Sequence, residues 1–255
     1  MSIRHKILII LILPLFAVSS SYSEDNDTLF SMANDQYSQQ KYGEAISSYK
    51  QIILGGNATF EVFFNIGNAY YKTGELGQAI LNYERAKRLS PTDEDVNFNL
   101  KMANRETIDK IDPLPKVFYK EWWDGYIVGQ SLNTRSIVLI LLLWLSVLAL
   151  SLYVYFRSVT LKKTMFLVSL TFLVFTLFYT VITKKQHTYL NERKAAIILD
   201  VSIYIKSSPD SESSNLFMLH EGTKLDILDE LNEWYKVRIA NGNIGWTTKE
   251  SIEVI

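Results

Sequence analysis

The sequence predicts a multidomain membrane protein with an all-α helical repeat array, a two-helix transmembrane hairpin and a small all-β barrel. Three observations carry that prediction. Residues repeat at a spacing of 34 between Asn26 and about Asp93, two uncharged apolar runs lie between Ser136 and Thr183, and beyond Ala195 apolar residues alternate with a period of two. The first period belongs to stacked helix pairs, the runs match the span of a bilayer, and the last is the signature of half-buried strands.

The 255 residues leave room for two small soluble domains beside a membrane segment, and a composition of 48% hydrophobic and 21% charged residues suits that mixture. A formal net charge of -1 gives no electrostatic case for nucleic acid as a partner. With no cysteine, the chain has no disulfide, no thiolate nucleophile and no thiolate metal site.

At the amino terminus, Arg4, His5 and Lys6 precede the apolar run Ile7 to Val18, and the small residues Ser19 to Ser23 lead into Glu24 and Asp25. A basic start, a short apolar centre and small residues near the cut describe a secretory signal peptide over residues 1–23, with cleavage after Ser19 or after Ser23. The chain is then expected to emerge outside the cytoplasm near Glu24.

Residues 24–111 are expected to form the helical array. Ala33 pairs with Gly67, Asn34 with Asn68, Tyr37 with Tyr71, Ala45 with Ala79, Ile46 with Ile80 and Tyr49 with Tyr83, each 34 positions apart. The second copy resembles the tetratricopeptide pattern, with Phe63, Ile66, Gly67, Tyr70, Ala79, Tyr83, Ala86 and Pro91 in its signature places. The first copy departs from it, having Gln36 where an aromatic belongs and Asn57 where the proline belongs. Two units are few for a stack that usually needs about three. Val96, Leu100, Ala103, Ile108 and Ile111 therefore mark Glu94 to Ile111 as a capping helix or a degenerate third unit. By resemblance, the first helices line a concave groove, so Phe30, Asn34 and Tyr37 of the first unit and Phe64, Asn68 and Tyr71 of the second are the candidate partner-binding residues. Amides both donate and accept, and would pair with the backbone of an extended peptide. Phe30, Phe98 and Met102 stand where a subset of the family places a carboxylate clamp, which argues against a clamp here.

Pro113 and Pro115 end the helical pattern, and residues 112–135 form an aromatic linker in which Phe118, Tyr119, Trp122, Trp123 and Tyr126 mingle with Lys116 and Lys120. Rings beside lysines suit the headgroup layer, so this stretch reads as an interfacial helix or, alternatively, a partner-binding patch. Residues 136–156 and 164–183 carry no charge and are each about the ~20 residues that cross a ~30 Å hydrocarbon core. The short loop 157–163, with Arg157, Lys162 and Lys163, is expected on the cytoplasmic side, which returns both outer ends to one compartment. Residues 184–194 are read as a linker.

In residues 195–255, Val201, Ile203 and Ile205, then Leu225 and Ile227, then Tyr235, Val237 and Ile239 are expected to point inward on short strands. Ser208-Pro209-Asp210, Glu221-Gly222 and Asn241-Gly242 supply the turns. Gly222, Trp234, Val237, Gly242, Gly245 and Trp246 give this segment a resemblance to the bacterial SH3-like domain. Trp234 is expected on the outer face beside Lys236, as a seventh candidate binding residue, and Trp246 in the core.

The three histidines, His5, His187 and His220, show no metal-ligand spacing, and neither a nucleophile elbow nor a phosphate-cradling loop is present. The expectation is therefore no enzyme, no catalytic residue, no cofactor and no metal. The order of modules resembles the BatE proteins of the Bacteroides aerotolerance operon. The resemblance implies an inner-membrane protein with both soluble domains in the periplasm, working beside membrane-anchored von Willebrand A-domain proteins and a MoxR-type ATPase. The expected partners are envelope proteins and the membrane, with peptidoglycan, reached through the SH3-like domain, as the alternative.

Overall fold

The computed structural model describes residues 24–115, 117–119, 125–126, 129–192 and 194–255. The expected signal peptide, together with Lys116, Lys120, Trp122 and Trp123 of the aromatic linker, lies outside the described residues.

The array begins with α1 (Glu24–Ser38) and α2 (Tyr42–Leu54), continues with α3 (Phe60–Thr73) and α4 (Leu76–Leu89), and ends with α5 (Glu94–Glu106). Each helix buries one stripe, and Ala33, Ala45, Tyr49, Ile66, Ala69, Ala79, Ile80, Tyr83, Leu100 and Ala103 share one core. Small residues set the helix spacing. A Cβ on Gly67 would lie 2.8 Å from the ring of Tyr83, so only glycine lets α3 and α4 close to this distance. The departures of the first unit are absorbed locally, because Gln36 accepts the Ser48 hydroxyl at 2.8 Å where an aromatic would pack.

α5 is the first helix of a third unit. The Thr59 hydroxyl caps α3 through the Val62 amide, and Asp93, 34 positions later, caps α5 through the Val96 amide. Val96, Leu100 and Ala103 are buried as expected, but the helix stops at Glu106 instead of running to Ile111, and Ile108 is 68% exposed. Lys110 folds back onto the carbonyls of Asn104, Arg105 and Thr107 and closes the helix end.

The remaining strands are β1 (Ala195–Ile198), β2 (Ser202–Lys206), β3 (Asn215–His220), β4 (Lys224–Leu231), β5 (Trp234–Arg238), β6 (Ile244–Thr248) and β7 (Ile252–Val254). They form one sheet in the order β3-β2-β6-β5-β4-β1-β7, with the described pairings all antiparallel. Ile198, Ile203, Ile205, Leu219, Leu225, Val237, Ile239 and Ile252 fill its interior. The alternation predicts this face well except at Val201, which is 78% exposed because β2 starts one residue later. Asn241 and Gly242 make the β5–β6 turn, with Gly242 at φ +91° and its amide donating to the Ile239 carbonyl.

The helical array and the SH3-like barrel form one compact unit. Ile197, Leu199 and Ile255 of the barrel pack on the helical core, so the barrel supplies apolar cover to an array whose third unit has only its first helix. On α4, Arg85 pairs with Glu253 at 2.7 Å, Glu84 with Lys224 at 2.7 Å, and Arg88 donates to the Ile255 carbonyl at 2.7 Å. Glu75 gives the first turn of α4 no side-chain cap, and Glu221 of the barrel does so instead, accepting from the Gly77 amide at 2.7 Å. A Cβ on Gly77 would lie 2.7 Å from Glu221 and 3.0 Å from the Ile198 carbonyl, whereas Gly43, its counterpart in the first unit, faces open space. Gly77 is thus small because the barrel is there.

Residues 107–114 strap the array to the barrel. The Asp109 carboxylate accepts from the His220 amide (2.7 Å) and the Thr223 hydroxyl (2.6 Å) and meets His220 Nδ1 at 2.9 Å. Ile111 packs on the barrel core, and the Leu114 amide donates to the Ala240 carbonyl. Burial works to raise the Asp109 carboxyl, but the hydrogen bonds from Thr223 and His220 and the charge of His220 outweigh it and hold the group below its ordinary value. A carboxylate depressed in the folded state contributes stability in full above the unfolded value, near pH 4, and loses it as pH falls through the folded value. Hydrogen-exchange protection at residues 107–114, expressed relative to the intrinsic rate at each pH, should therefore hold from neutral pH down to about 4 and fall below it. Asp109→Ala should lower stability by about 1.5–3 kcal/mol at pH 7 and flatten that acid response.

The other compact body, which includes residues 132–187, holds α6 (Leu132–Tyr155) and most of α7 (Val159–Glu192), both long and apolar enough to cross a membrane. The turn between them is residues 156–158, because Val159 to Lys163 already form the first turn of α7, and Lys162 lies 5.9 Å from the Tyr153 ring. α7 runs nine residues past Thr183, so the stretch read as a linker is largely helical. Between the helices the Ser146 hydroxyl donates to the Ser169 carbonyl at 3.1 Å and the Ser169 hydroxyl to the Ser146 carbonyl at 3.0 Å. Such polar pairs contribute about 0.6 kcal/mol each between apolar helices, where apolar side chains gain nothing over lipid.

Candidate partner-binding groove

The first helices of the three units, α1, α3 and α5, carry the candidate residues. At their seams the side chains form a hydrogen-bonded triad that recurs with the sequence period. In the first, Asn34 Oδ1 accepts from the Tyr49 hydroxyl at 2.6 Å and from Asn65 Nδ2 at 3.0 Å. In the second, 34 residues on, Asn68 Oδ1 accepts from the Tyr83 hydroxyl at 2.8 Å and from Asn99 Nδ2 at 2.9 Å. Burial pushes the Tyr49 hydroxyl up to about 12 and raises that of Tyr83 as well, so both phenols stay protonated and remain donors at any physiological pH.

Beside the second triad lies a depression of about 310 Å³ lined by Tyr37, Asn68, Tyr71, Lys72, Tyr83, Phe98, Asn99 and Met102. Three of the six residues expected in a groove, Tyr37, Asn68 and Tyr71, meet here. Tyr71 donates its hydroxyl to Glu106, and this bond raises its pKa. Tyr37 packs edge-on to Tyr42 at 5.2 Å. Asn34 sits one repeat away in the first triad. Phe30 and Phe64 are partly buried against the helical core: Phe30 is 6.1 Å from the Tyr49 ring, and Phe64 lies between Phe60 at 6.1 Å and Tyr83 at 6.2 Å.

Five lining residues were not expected to bind: Lys72, Tyr83, Phe98, Asn99 and Met102. Three of them follow from the repeat itself, since Phe98, Asn99 and Met102 are 34 positions after Phe64, Asn65 and Asn68. Phe98 is 64% exposed, an apolar ring open to solvent at the edge of this depression. The helix carries no lysine where a carboxylate clamp would need one, at Phe98 and Met102.

On the barrel, Trp234, Lys236 and Trp246 share the outer face. Here the expectation for Trp246 is corrected. Val237 pairs with Gly245 and Tyr235 with Thr247, which is 2% exposed, so the alternation turns Trp246 outward, opposite Lys236, whose Nζ lies 5.9 Å from its ring. Trp234 pairs with Thr248 on the same side and lies away from the depression on the array.

A family model described as a bacterial SH3 domain matches residues 201–253, and one described as a TPR repeat matches residues 67–100. The crystal structure of the carboxyl-terminal SH3 domain of myosin IB from Entamoeba histolytica is similar at 19% identity, covering 25% of this chain and 93% of that one with a TM-score of 0.18. No curated protein matches.

Proposed function

We propose that this chain is a non-catalytic scaffold, anchored in the bacterial inner membrane by α6 and α7, that collects envelope proteins in the groove of its repeat array. The observation that carries the reading is the concave surface itself: an aromatic, amide-lined depression with the 64% exposed Phe98 at its rim, on an array whose α4 is covered by the barrel. A repeat of this family supports protein partners in general. The module order, resembling BatE, supports the narrower reading of a periplasmic aerotolerance complex with von Willebrand A-domain membrane proteins and a MoxR-type ATPase.

Phe98→Ala combined with Tyr71→Ala should leave the unfolding free energy of the purified full chain within about 1 kcal/mol of the parent. The same variant should lose the envelope proteins that co-purify with the parent chain. An unchanged set of co-purifying proteins would count against the groove. Both soluble segments are assigned to the periplasm, and reporter fusions at Asp93 and Ile255 that landed on opposite sides of the membrane would end that assignment.

The second reading, attachment to peptidoglycan through the barrel, is favoured by the Trp234, Lys236 and Trp246 face, because aromatic rings beside a cation suit sugar rings carrying carboxylates. Sedimentation of the full chain with purified sacculi, abolished by Trp246→Ala, supports it; a chain that stays in the supernatant excludes it.

A further inference from the structure

We infer that a second depression, between α2, α3 and α4 and beside β7, binds an α-carboxylate with a neighbouring N–H and an apolar side chain. A free amino acid and the carboxyl terminus of a polypeptide share that chemistry. The site is separate from the groove and does not depend on it. On α3 it uses Ile66 and Tyr70, which lie about half a helical turn from the groove residues Asn68 and Lys72.

The fold buries two polar side chains here and leaves each with an unused group. Tyr70 and Asn82 line the depression, and each is 3% exposed. Asn82 spends its Nδ2 on the Gln78 carbonyl at 2.8 Å. Its Oδ1 and the Tyr70 hydroxyl meet no hydrogen-bond partner among the described residues, and neither atom is sealed from solvent. The first unit handles the same two positions differently. Gln36 and Ser48, 34 positions before Tyr70 and Asn82, satisfy each other through a hydrogen bond of 2.8 Å. The second unit replaces that pair by two groups that do not bond to each other and that share a depression. Buried polar groups are paired as a rule, so a hydroxyl and an amide oxygen left open in one cavity mark a place that a ligand completes.

Charge and size select the ligand. Lys50 brings an ammonium with no acidic partner among the described residues, its Nζ 5.4 Å from the centroid of the Tyr70 ring. Arg85 and Glu253, the other charges in the lining, are paired at 2.7 Å, so two cations face one carboxylate and the excess is positive. The depression therefore draws an anion, and a carboxylate accepts from the Lys50 ammonium and the Tyr70 hydroxyl together. The Asn82 oxygen can only accept, so the same ligand must bring an N–H. Ile53, Leu54 and Ile66 supply an apolar wall for its side chain. A volume of about 280 Å³ stands at the lower end of ligand pockets, about 300–1,000 Å³, and is sized for a single residue.

The test titrates the full chain in detergent with N-acetyl-L-leucine, L-leucine and N-acetyl-L-leucinamide, read by calorimetry. Acids of this size should bind with a Kd of about 1 mM. Binding of N-acetyl-L-leucine, with or without L-leucine, supports the site and makes a polypeptide terminus its ligand. Binding of L-leucine alone supports it with a free amino acid as the ligand. The carboxamide, which lacks the charge, should bind about tenfold more weakly or not at all. Lys50 is exposed and Tyr70→Phe keeps its ring, so Lys50→Gln and Tyr70→Phe should both fold, and each should weaken binding of the acid by about tenfold. Absence of saturation by either acid at about 10 mM overturns the site. So does a carboxamide that binds as well as the acid, or full binding in both variants.

Discussion

Gly222→Val should destabilise the unit formed by array and barrel by about 3 kcal/mol or more, from strain and overpacking together. Gly222 has φ +82°, a left-handed conformation that a β-branched side chain adopts only under strain. A Cβ there would also lie 2.8 Å from Ile80 Cδ1 and 2.9 Å from Thr107 Cγ2, where α4 and the strap meet the barrel. The backbone cannot relax freely, because the Gly222 amide donates to the Ile198 carbonyl at 2.9 Å and the neighbouring Glu221 caps α4. The cheapest response is separation of the two modules. Urea unfolding of the full chain, a single transition for the docked parts, should then split in two, and hydrogen exchange should rise together in residues 107–114 and the first turn of α4. A Gly222→Val chain with unchanged midpoint and unchanged exchange would mean that the barrel is not held at this contact.

That contact was invisible in the sequence, for a physical reason. Periodicity reports which face of an element is buried, and it located the helical repeat, three of the seven described strands and part of the core. It carries no information about pairs such as Gly77 and Glu221 or Arg85 and Glu253, whose partners stand 144 and 168 residues apart. The end of α5 was misread for a related reason. Ile108 and Ile111 continue the helical spacing, yet Asp109 between them is held by His220 and Thr223, and the strap this creates leaves Ile108 in solvent. Trp246 shows the same limit within one sheet, because its bulk suggests a core and only the register Lys236↔Trp246 turns it outward. The groove was half legible. Its repeated asparagines and tyrosines stood out at 34-residue spacing, but their oxygens proved to be spent inside the array, and the ring most open to a partner, Phe98, belongs to the unit whose pattern was weakest.

The second large effect is expected at Tyr83, where packing and the amide network converge. Tyr83 is 1% exposed, its ring is the surface that Gly67 is small enough to meet, and its hydroxyl donates to Asn68. Tyr83→Ala removes a buried ring that rigid helices on both sides cannot refill, a change that costs about 3–5 kcal/mol. Tyr83→Phe keeps the ring and removes one donor, for about 0.5–1.5 kcal/mol, since Asn68 Oδ1 retains the Asn99 amide. Set against a usual total of 5–15 kcal/mol, the alanine variant should leave the second unit largely unfolded at moderate denaturant, and α4, which carries the barrel's contacts, should lose the barrel with it. Midpoints from tryptophan fluorescence should therefore rank parent, Tyr83→Phe and Tyr83→Ala with the larger gap before alanine. Equal losses in the two variants would mean that the hydroxyl network, and not ring packing against Gly67, holds the second unit together.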